Sequence, residues 1–281
     1  MSSWHLGRMC PFDLETTGVN VETARIVEAY IGQVGGDALP IDPPPTLINP
    51  GVEVPAEAAK IHGFTTAYLH EHGSPPAESI DQLVARAASA LSAGVPLVGH
   101  NIRYDLTVLD RECRRHNLPT LAERTRGIEG PVIDTQVLSK HVDPYRRRVS
   151  ETQGAQCLKT CCQAFRVGWD DEEAHGARYD ALAAARVAWR IGVIAAMPRE
   201  ERPTFSASRD LFDDVAVDLP DLFVAQKRWA AEQDAGLAEY FRKQARRATD
   251  VDEQIELARR ADSVGAGHWP LTPHAAQAVS A

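Results

Sequence analysis

No stretch of the 281-residue chain approaches the roughly 18 to 20 consecutive apolar residues of a membrane-spanning helix. The opening MSSWHLGRMC also lacks the basic-then-apolar order of a secretory leader, so a cytoplasmic protein is the default expectation. Cysteine is sparse. The five present, Cys10, Cys113, Cys157, Cys161 and Cys162, are odd in number and form no CxxC pair, so they signal neither a disulfide framework nor a zinc knuckle and predict reduced, mostly buried thiols, with a redox or metal role for the crowded Cys157, Cys161 and Cys162 as the alternative. Excess positive charge is missing too. With 30 basic against 39 acidic residues the net charge is −9, which argues against sequence-blind coating of nucleic acid by a basic surface. An enzyme that grips only a chain end through metal ions remains compatible with it. The chain has no internal repeat and no low-complexity tract.

What is present is an ordinary apolar fraction, 44%, enough for one large domain or one medium domain with an appendage. From Met9 to Val34 the pattern reads as two strands around a turn at Thr17–Ala24, and PTLINP after the Pro43–Pro45 breaker reads as a third. Short connections imply an antiparallel meander. Beyond Gly73 the spacing turns helical: SPPAESIDQLVARAASALSAG has Ser74 as N-cap, Pro75 in the first turn and Gly94 as stop. PLVGHN is then a short buried strand, NIRYDLTVLDRECRRHN a helix, PVIDTQVLS a strand, and Gly154–Phe165 and Ala177–Ile194 two further helices. A meander followed by strand and helix in alternation predicts an α/β domain with a mixed sheet. The charged, proline-containing MPREERPTFSASRD places a boundary near residue 200, giving domains of 1–200 and 201–281. The second region carries a long amphipathic helix, which either docking on the main domain or dimerisation would satisfy.

Chemistry concentrates at three places. In FDLETTG, Asp13 and Glu15 alternate with Phe12 and Leu14, so one strand presents two carboxylates on one face, where like charges repel unless a cation sits between them. GHNIRYD puts Asp105 near the start of a helix. AHGARYD puts His175 in a loop and Asp180 in the first turns of the last large helix. Four acids converging in this way would hold two divalent, oxygen-preferring ions such as Mg²⁺ or Mn²⁺, a clamp suited to in-line displacement at phosphorus. A neutral imidazole beside the attacking water would be its general base.

FDLETTG at 12–18, HNIRYD at 100–105 and HGARYD at 175–180 together resemble the proofreading exonuclease superfamily with the DEDD signature, of which the epsilon subunit of bacterial DNA polymerase III is a type. IHGFT at 61–65 and IDT at 133–135 match more weakly but in order, and the resemblance spans roughly residues 9–195. His175, five residues before Asp180, corresponds to the histidine form of the family. The resemblance implies a ribonuclease-H-like mixed sheet with a C-terminal helical appendage, and 3′–5′ hydrolysis of DNA ends to nucleoside 5′-monophosphates. It also implies metal binding by Asp13, Glu15, Asp105 and Asp180, with His175 activating water. Thr16, Thr17, His62, His100, Asn101 and Tyr104 would line the pocket for the terminal nucleotide, Tyr104 standing where many members have Phe. Rivals are a 3′–5′ exoribonuclease and a non-catalytic polymerase-accessory module that binds nucleic acid. A homodimer or a polymerase partner could engage the C-terminal helices, although no glutamine-led clamp-docking motif is present. Singly, the acids would be solvated strand ends or helix first-turn residues and His175 a loop or cap residue. Lys140 and Arg146–Arg148 are candidate phosphate contacts or a solvated loop, and Trp229, Tyr240 and Phe241 fit core better than a stacking platform.

Overall fold

The computed structural model describes residues 4–127, 130–205, 208–264 and 267–274. β1 (Arg8–Thr16) lies in the middle of a six-stranded sheet, with β2 (Ile26–Ile31) antiparallel on one side and β4 (Thr46–Leu47) antiparallel beyond it. The short β3 (Val34–Gly35) pairs with the start of β1. On the other side run β5 (Leu97–Gly99) and β6 (Val132–Asp134), both parallel. The expected meander and mixed sheet are both present. Parallel strands need helical crossovers, and these are α3 (Pro76–Ser92) into β5, then α4 (Ile102–Arg115) and the single turn α5 (Leu121–Arg124) into β6. α8 (Ala177–Ala196) packs across β1 and β2.

Several local expectations differ. PVIDTQVLS is a strand only at Val132–Asp134. From Thr135 it is helix α6 (Thr135–Val142), because the Asp134 carboxylate accepts the backbone N–H groups of Gln136 and Val137 and so starts a helix mid-segment. α3 is capped at Pro75 rather than Ser74, whose backbone pairs with the β4 edge instead. Two short helices have no clear signal in the sequence pattern: α1 (Ala56–His62) and α2 (Thr66–His72), which cover a satellite core of Val27, Val54, Ala58 and Leu69. α7 is confined to Leu158–Phe165. All five cysteines are free thiols, four of them buried. No helix among the described residues is long and apolar enough to cross a membrane.

The stretch around residue 200 contains two short 3₁₀ turns, with residues 206–207 outside the described ones. Beyond it come α9 (Leu219–Ala245) and α10 (Val251–Ser263). Phe212, Val215, Leu222, Trp229 and Trp269 belong to the same apolar core as the sheet, so the amphipathic helix finds its partner within its own chain. Trp229 is core, stacked on His141 with ring centres 3.8 Å apart. Gln226 explains how the helix meets the sheet. Fully buried, its side-chain Nε2 donates to the Val132 carbonyl at 3.0 Å and its Oε1 accepts the Asp134 N–H at 2.8 Å, pairing with the β6 edge as another strand would. The segment after α10 then straps across α4: Arg111 donates to the Thr272 and Pro273 carbonyls, Arg103 to that of His268, and Thr272 N–H to Thr107.

Replacing Gln226 by Ala would leave a buried donor and acceptor of β6 unpaired. The expected cost is about 2 to 4 kcal/mol of unfolding free energy, measured by urea titration, whereas a surface replacement such as Val224→Ser should stay within about 0.5 kcal/mol.

Candidate active site

The site forms where β1 ends. Alternation along the strand buries Phe12 and Leu14 and turns Asp13 and Glu15 to the face on which the first turn of α8 lies. A register shift between Glu15 and Thr16 breaks the ladder with β2 at this point, re-aiming the chain as it leaves the sheet. Asp13, Glu15 and Asp180 each place a carboxylate oxygen within 4.8 Å of the others, close enough to share a cation. The Asp180 Oδ1 is buried and has no hydrogen-bond partner among the described residues, as a ligand atom awaiting an ion would be.

Electrostatics agree with that reading. Burial, then the charges of Asp105, Glu15 and Asp180, hold the Asp13 carboxyl well above the usual range. Burial, then the charges of Asp180, Glu28 and Asp105, push Glu15 up to about 9. Burial pushes Asp180 up to about 6, opposed by the His175 ring and the His175 backbone N–H beside it. These acids repel one another, so the donor set suits an oxygen-preferring divalent cation, whose charge would offset the repulsion.

Asp105 does not join the close trio. It is 4% exposed in the first turn of α4, where the N–H groups of Leu14 and of Asp105 itself face its carboxylate, and its charge is the neighbour that acts most strongly on Asp13. The fourth acid is therefore beside the cluster and drawn toward backbone amides. His175 stands exposed at the entry to α8 with φ of 64°, an uncommon conformation for a residue with a side chain.

The expected pocket residues divide. The Tyr104 hydroxyl donates to the Gly18 carbonyl and accepts from Thr16 Oγ1 2.6 Å away, itself within reach of the same carbonyl, so the extra hydroxyl of Tyr104 braces the turn after β1; burial pushes it up to about 12. Thr17 is buried in that turn, its Oγ1 accepting the Arg25 N–H. His62 lies by the Thr16 carbonyl, its Nδ1 accepting the Phe64 N–H while Nε2 is buried without a hydrogen-bond partner in good geometry. His100 is committed elsewhere: its ring nitrogens bond Thr135 Oγ1 at 2.9 Å and the Gln156 carbonyl at 2.8 Å, tying β5 to α6 and the loop before α7, so neither remains for a nucleotide. Asn101 occupies the N-cap of α4 with φ of 60° and makes no side-chain cap. Of the basic loop, Arg146 is spent on Asp143, Ser139 and the face of Phe165, which leaves Arg147 and Arg148 exposed.

Sequence reasoning missed Glu28. It pairs with Glu15 across the β1–β2 ladder, is 6% exposed, and its Oε2 accepts the Ala177 N–H at 2.8 Å. A carboxylate on β2 thus caps the first turn of α8 and fixes Asp180 opposite the strand pair. The signal, a lone Glu in an otherwise apolar strand, IVEAYI, was visible; its partner was not. Asp134 is a similar hub, its Oδ1 also accepting the Asn101 N–H at 3.0 Å and its Oδ2 the Trp269 Nε1–H at 3.3 Å.

Two outcomes follow. The folded-state pKa values of Asp13, Glu15 and Asp180 lie above those of the unfolded chain, near 4, so the folded state binds more protons. In EDTA, stability should then be full below about pH 4 and be lost as pH rises through about 6 for Asp180 and about 9 for Glu15. Melting curves from pH 4 to pH 9 should show this fall, with Mg²⁺ restoring stability most at the alkaline end and Asp13→Asn raising the melting temperature in EDTA. Glu28→Ala should cost about 1 to 3 kcal/mol in urea unfolding by orphaning the Ala177 N–H, and Glu28→Gln, which keeps an acceptor, should recover most of it.

An exonuclease family model, RNase_T, matches residues 11–188. The DNA polymerase III PolC-type protein of Streptococcus agalactiae is 27% identical over 176 residues, 63% of this chain and 10% of that protein. A DNA polymerase III subunit epsilon-like protein of Rhodobacter capsulatus is 32% identical over 137 residues, 46% of this chain and 16% of that one. The chain thus spans a small part of these relatives. Among solved structures, Exonuclease I of Methylocaldum szegediense superimposes with a TM-score of 0.57 at 23% identity, over 81% of this chain and 45% of that one. A zinc-bound complex of E. coli Exonuclease I with single-stranded DNA gives 0.54 at 19%, over 74% and 42%. These structures share the ribonuclease-H-like fold, and the family match covers the sheet, α4 and the first turns of α8 that carry the acids. The chain belongs to the RNase_T exonuclease family.

Proposed function

We propose that the protein is a metal-dependent 3′–5′ exonuclease that releases nucleoside 5′-monophosphates from DNA ends. The observation that carries this reading is the trio of Asp13, Glu15 and Asp180 within 4.8 Å, with the Asp180 Oδ1 unpartnered and His175 beside it. The polymerase III relatives and the DNA held by E. coli Exonuclease I support a DNA substrate.

Divalent ions held by the trio, with Asp105 alongside, would neutralise the acids, acidify the attacking water and stabilise the leaving 3′ oxygen. His175 is exposed at the rim, so it can accept the water proton as the oxygen attacks phosphorus and pass that proton to solvent. The bond from phosphorus to the 3′ oxygen breaks, and that oxygen takes a proton. One nucleoside 5′-monophosphate leaves and the strand keeps a new 3′ hydroxyl. Thr16 and Tyr104, locked to the Gly18 carbonyl, form a wall that holds the terminal sugar in line, with His62 close to Thr16.

The test uses 5′-labelled DNA and RNA oligonucleotides with Mg²⁺, Mn²⁺ or EDTA. Wild type should shorten DNA from the 3′ end only with metal, Asp180→Ala should leave it intact, and His175→Ala should turn over about 10² to 10⁴ times more slowly while still binding Mn²⁺. Equal degradation by Asp180→Ala, or shortening from the 5′ end, refutes the assignment.

A further inference from the structure

We propose that Tyr179 is a positioning residue for His175: its hydroxyl clasps the exposed loop that carries the imidazole and sets the ring against the acid cluster before substrate arrives. The inference rests on the preceding reading of His175 as general base and adds what holds that base in place. Residues 167–176 join α7 to α8 without regular structure, and residues 170–173 and His175 are exposed, so burial contributes little to ordering them. A few polar ties carry that task instead.

The first turn of α8 is a fixed post, because its opening residues hold separate parts of the fold. The Ala177 N–H donates to Glu28 of β2 at 2.8 Å. Arg178 Nε donates to Asp42 Oδ1 at 2.8 Å in the loop after β3, and the Tyr30 hydroxyl donates to the same oxygen at 2.8 Å. Tyr179 turns back on the loop itself. Its hydroxyl oxygen accepts the Asp170 N–H at 2.5 Å, and its ring meets that of Trp169 edge to face, with centres 5.4 Å apart and planes at 78°. Both rings pack against the main apolar core.

The held segment passes the constraint on to His175. Asp170 Oδ1 accepts the Glu172 N–H at 2.9 Å and its carbonyl accepts the Ala174 N–H at 3.2 Å, rolling the chain into a compact turn that ends at His175. There φ is 64°, the His175 N–H faces the Asp180 carboxylate, and the ring lies within range of the charges of Asp180 and Asp171. Asp171 Oδ1 in turn accepts Trp169 Nε1–H at 2.8 Å and Lys159 Nζ of α7 at 2.6 Å. The Lys159–Asp171 pair is open to water, with side chains 33% and 69% exposed, so it is screened and the Tyr179 bond is the firmer tie. A base misplaced by about 1 Å can cost about 10²-fold in rate, so loss of the Tyr179 hydroxyl should be felt in turnover rather than in binding.

The experiment compares wild type, Tyr179→Phe, His175→Ala and the double variant, by steady-state release of nucleotide from an oligothymidylate with Mg²⁺ and by amide hydrogen exchange in EDTA. Tyr179→Phe keeps the ring on Trp169 and removes the acceptor. It should lower kcat about 10-fold to 10²-fold while KM and Mn²⁺ affinity stay within about twofold. Exchange of the Asp170 and Ala174 amides should quicken. In the His175→Ala background the same change should cost nothing further, since a residue that acts through His175 has nothing left to position. Wild-type kcat or unchanged exchange in Tyr179→Phe, a raised KM, weakened Mn²⁺ binding, or an equal loss in the His175→Ala background overturns the proposal. Failure of the exonuclease reading looks different. If wild type releases no nucleotide, or His175→Ala is as fast as wild type, the base and its support fall together; a slow His175→Ala beside a fast Tyr179→Phe removes the role of Tyr179 alone.

Discussion

The mutual repulsion of carboxylates gathered at the end of β1 is the constraint around which the rest of the molecule is arranged. Asp13 and Glu15 share a face because a strand alternates, and Asp180 is brought against them by a helix. Burial raises the cost of charging each acid, so the scaffold must hold them together against their own field. Much of the surrounding hydrogen bonding serves that purpose. Glu28 caps α8 from the sheet, amides of Leu14 and Asp105 satisfy Asp105, and the Tyr104–Thr16–Gly18 triangle closes the turn above.

The C-terminal region belongs to the same economy of support. Asp134 joins the starts of α4 and α6, and it is in turn bound by Gln226 of α9 through its backbone and by Trp269 of the strap through its carboxylate. Helix α4, which presents Asp105, thus lies between the sheet and a strap drawn over it by Arg103 and Arg111. An edge strand that would otherwise expose its hydrogen-bonding groups is covered by a side-chain amide. Stability of the acid cluster and docking of the tail are coupled through shared residues rather than through distance.

Much of this was legible beforehand, and the reason differs by feature. The alternation FDLET, the helical spacing of α3 and the first-turn acids of α4 and α8 are local patterns, and local patterns survive folding. IVEAYI was read as a strand, yet the role of Glu28 was invisible because its partner, the Ala177 N–H, is 149 residues away. His100 looks like a pocket residue in the sequence and is a tie in the fold, since its two partners come from the start of α6 and from the loop before α7. PVIDTQVLS reads as a single strand because β-branched residues on both sides of Asp134 favour one, while the carboxylate at its centre begins a helix.

By itself the sequence determined which residues carry charge at which period along each element, and so which of them share a face: Asp13 with Glu15, and Asp180 at the start of its helix. Tertiary structure alone decided which faces meet. It set Asp105 apart from the close trio, turned His100 inward, and folded α9 onto β6. Periodicity is a property of neighbours along the chain, whereas convergence depends on backbone groups far away in sequence that compete for the same polar side chains.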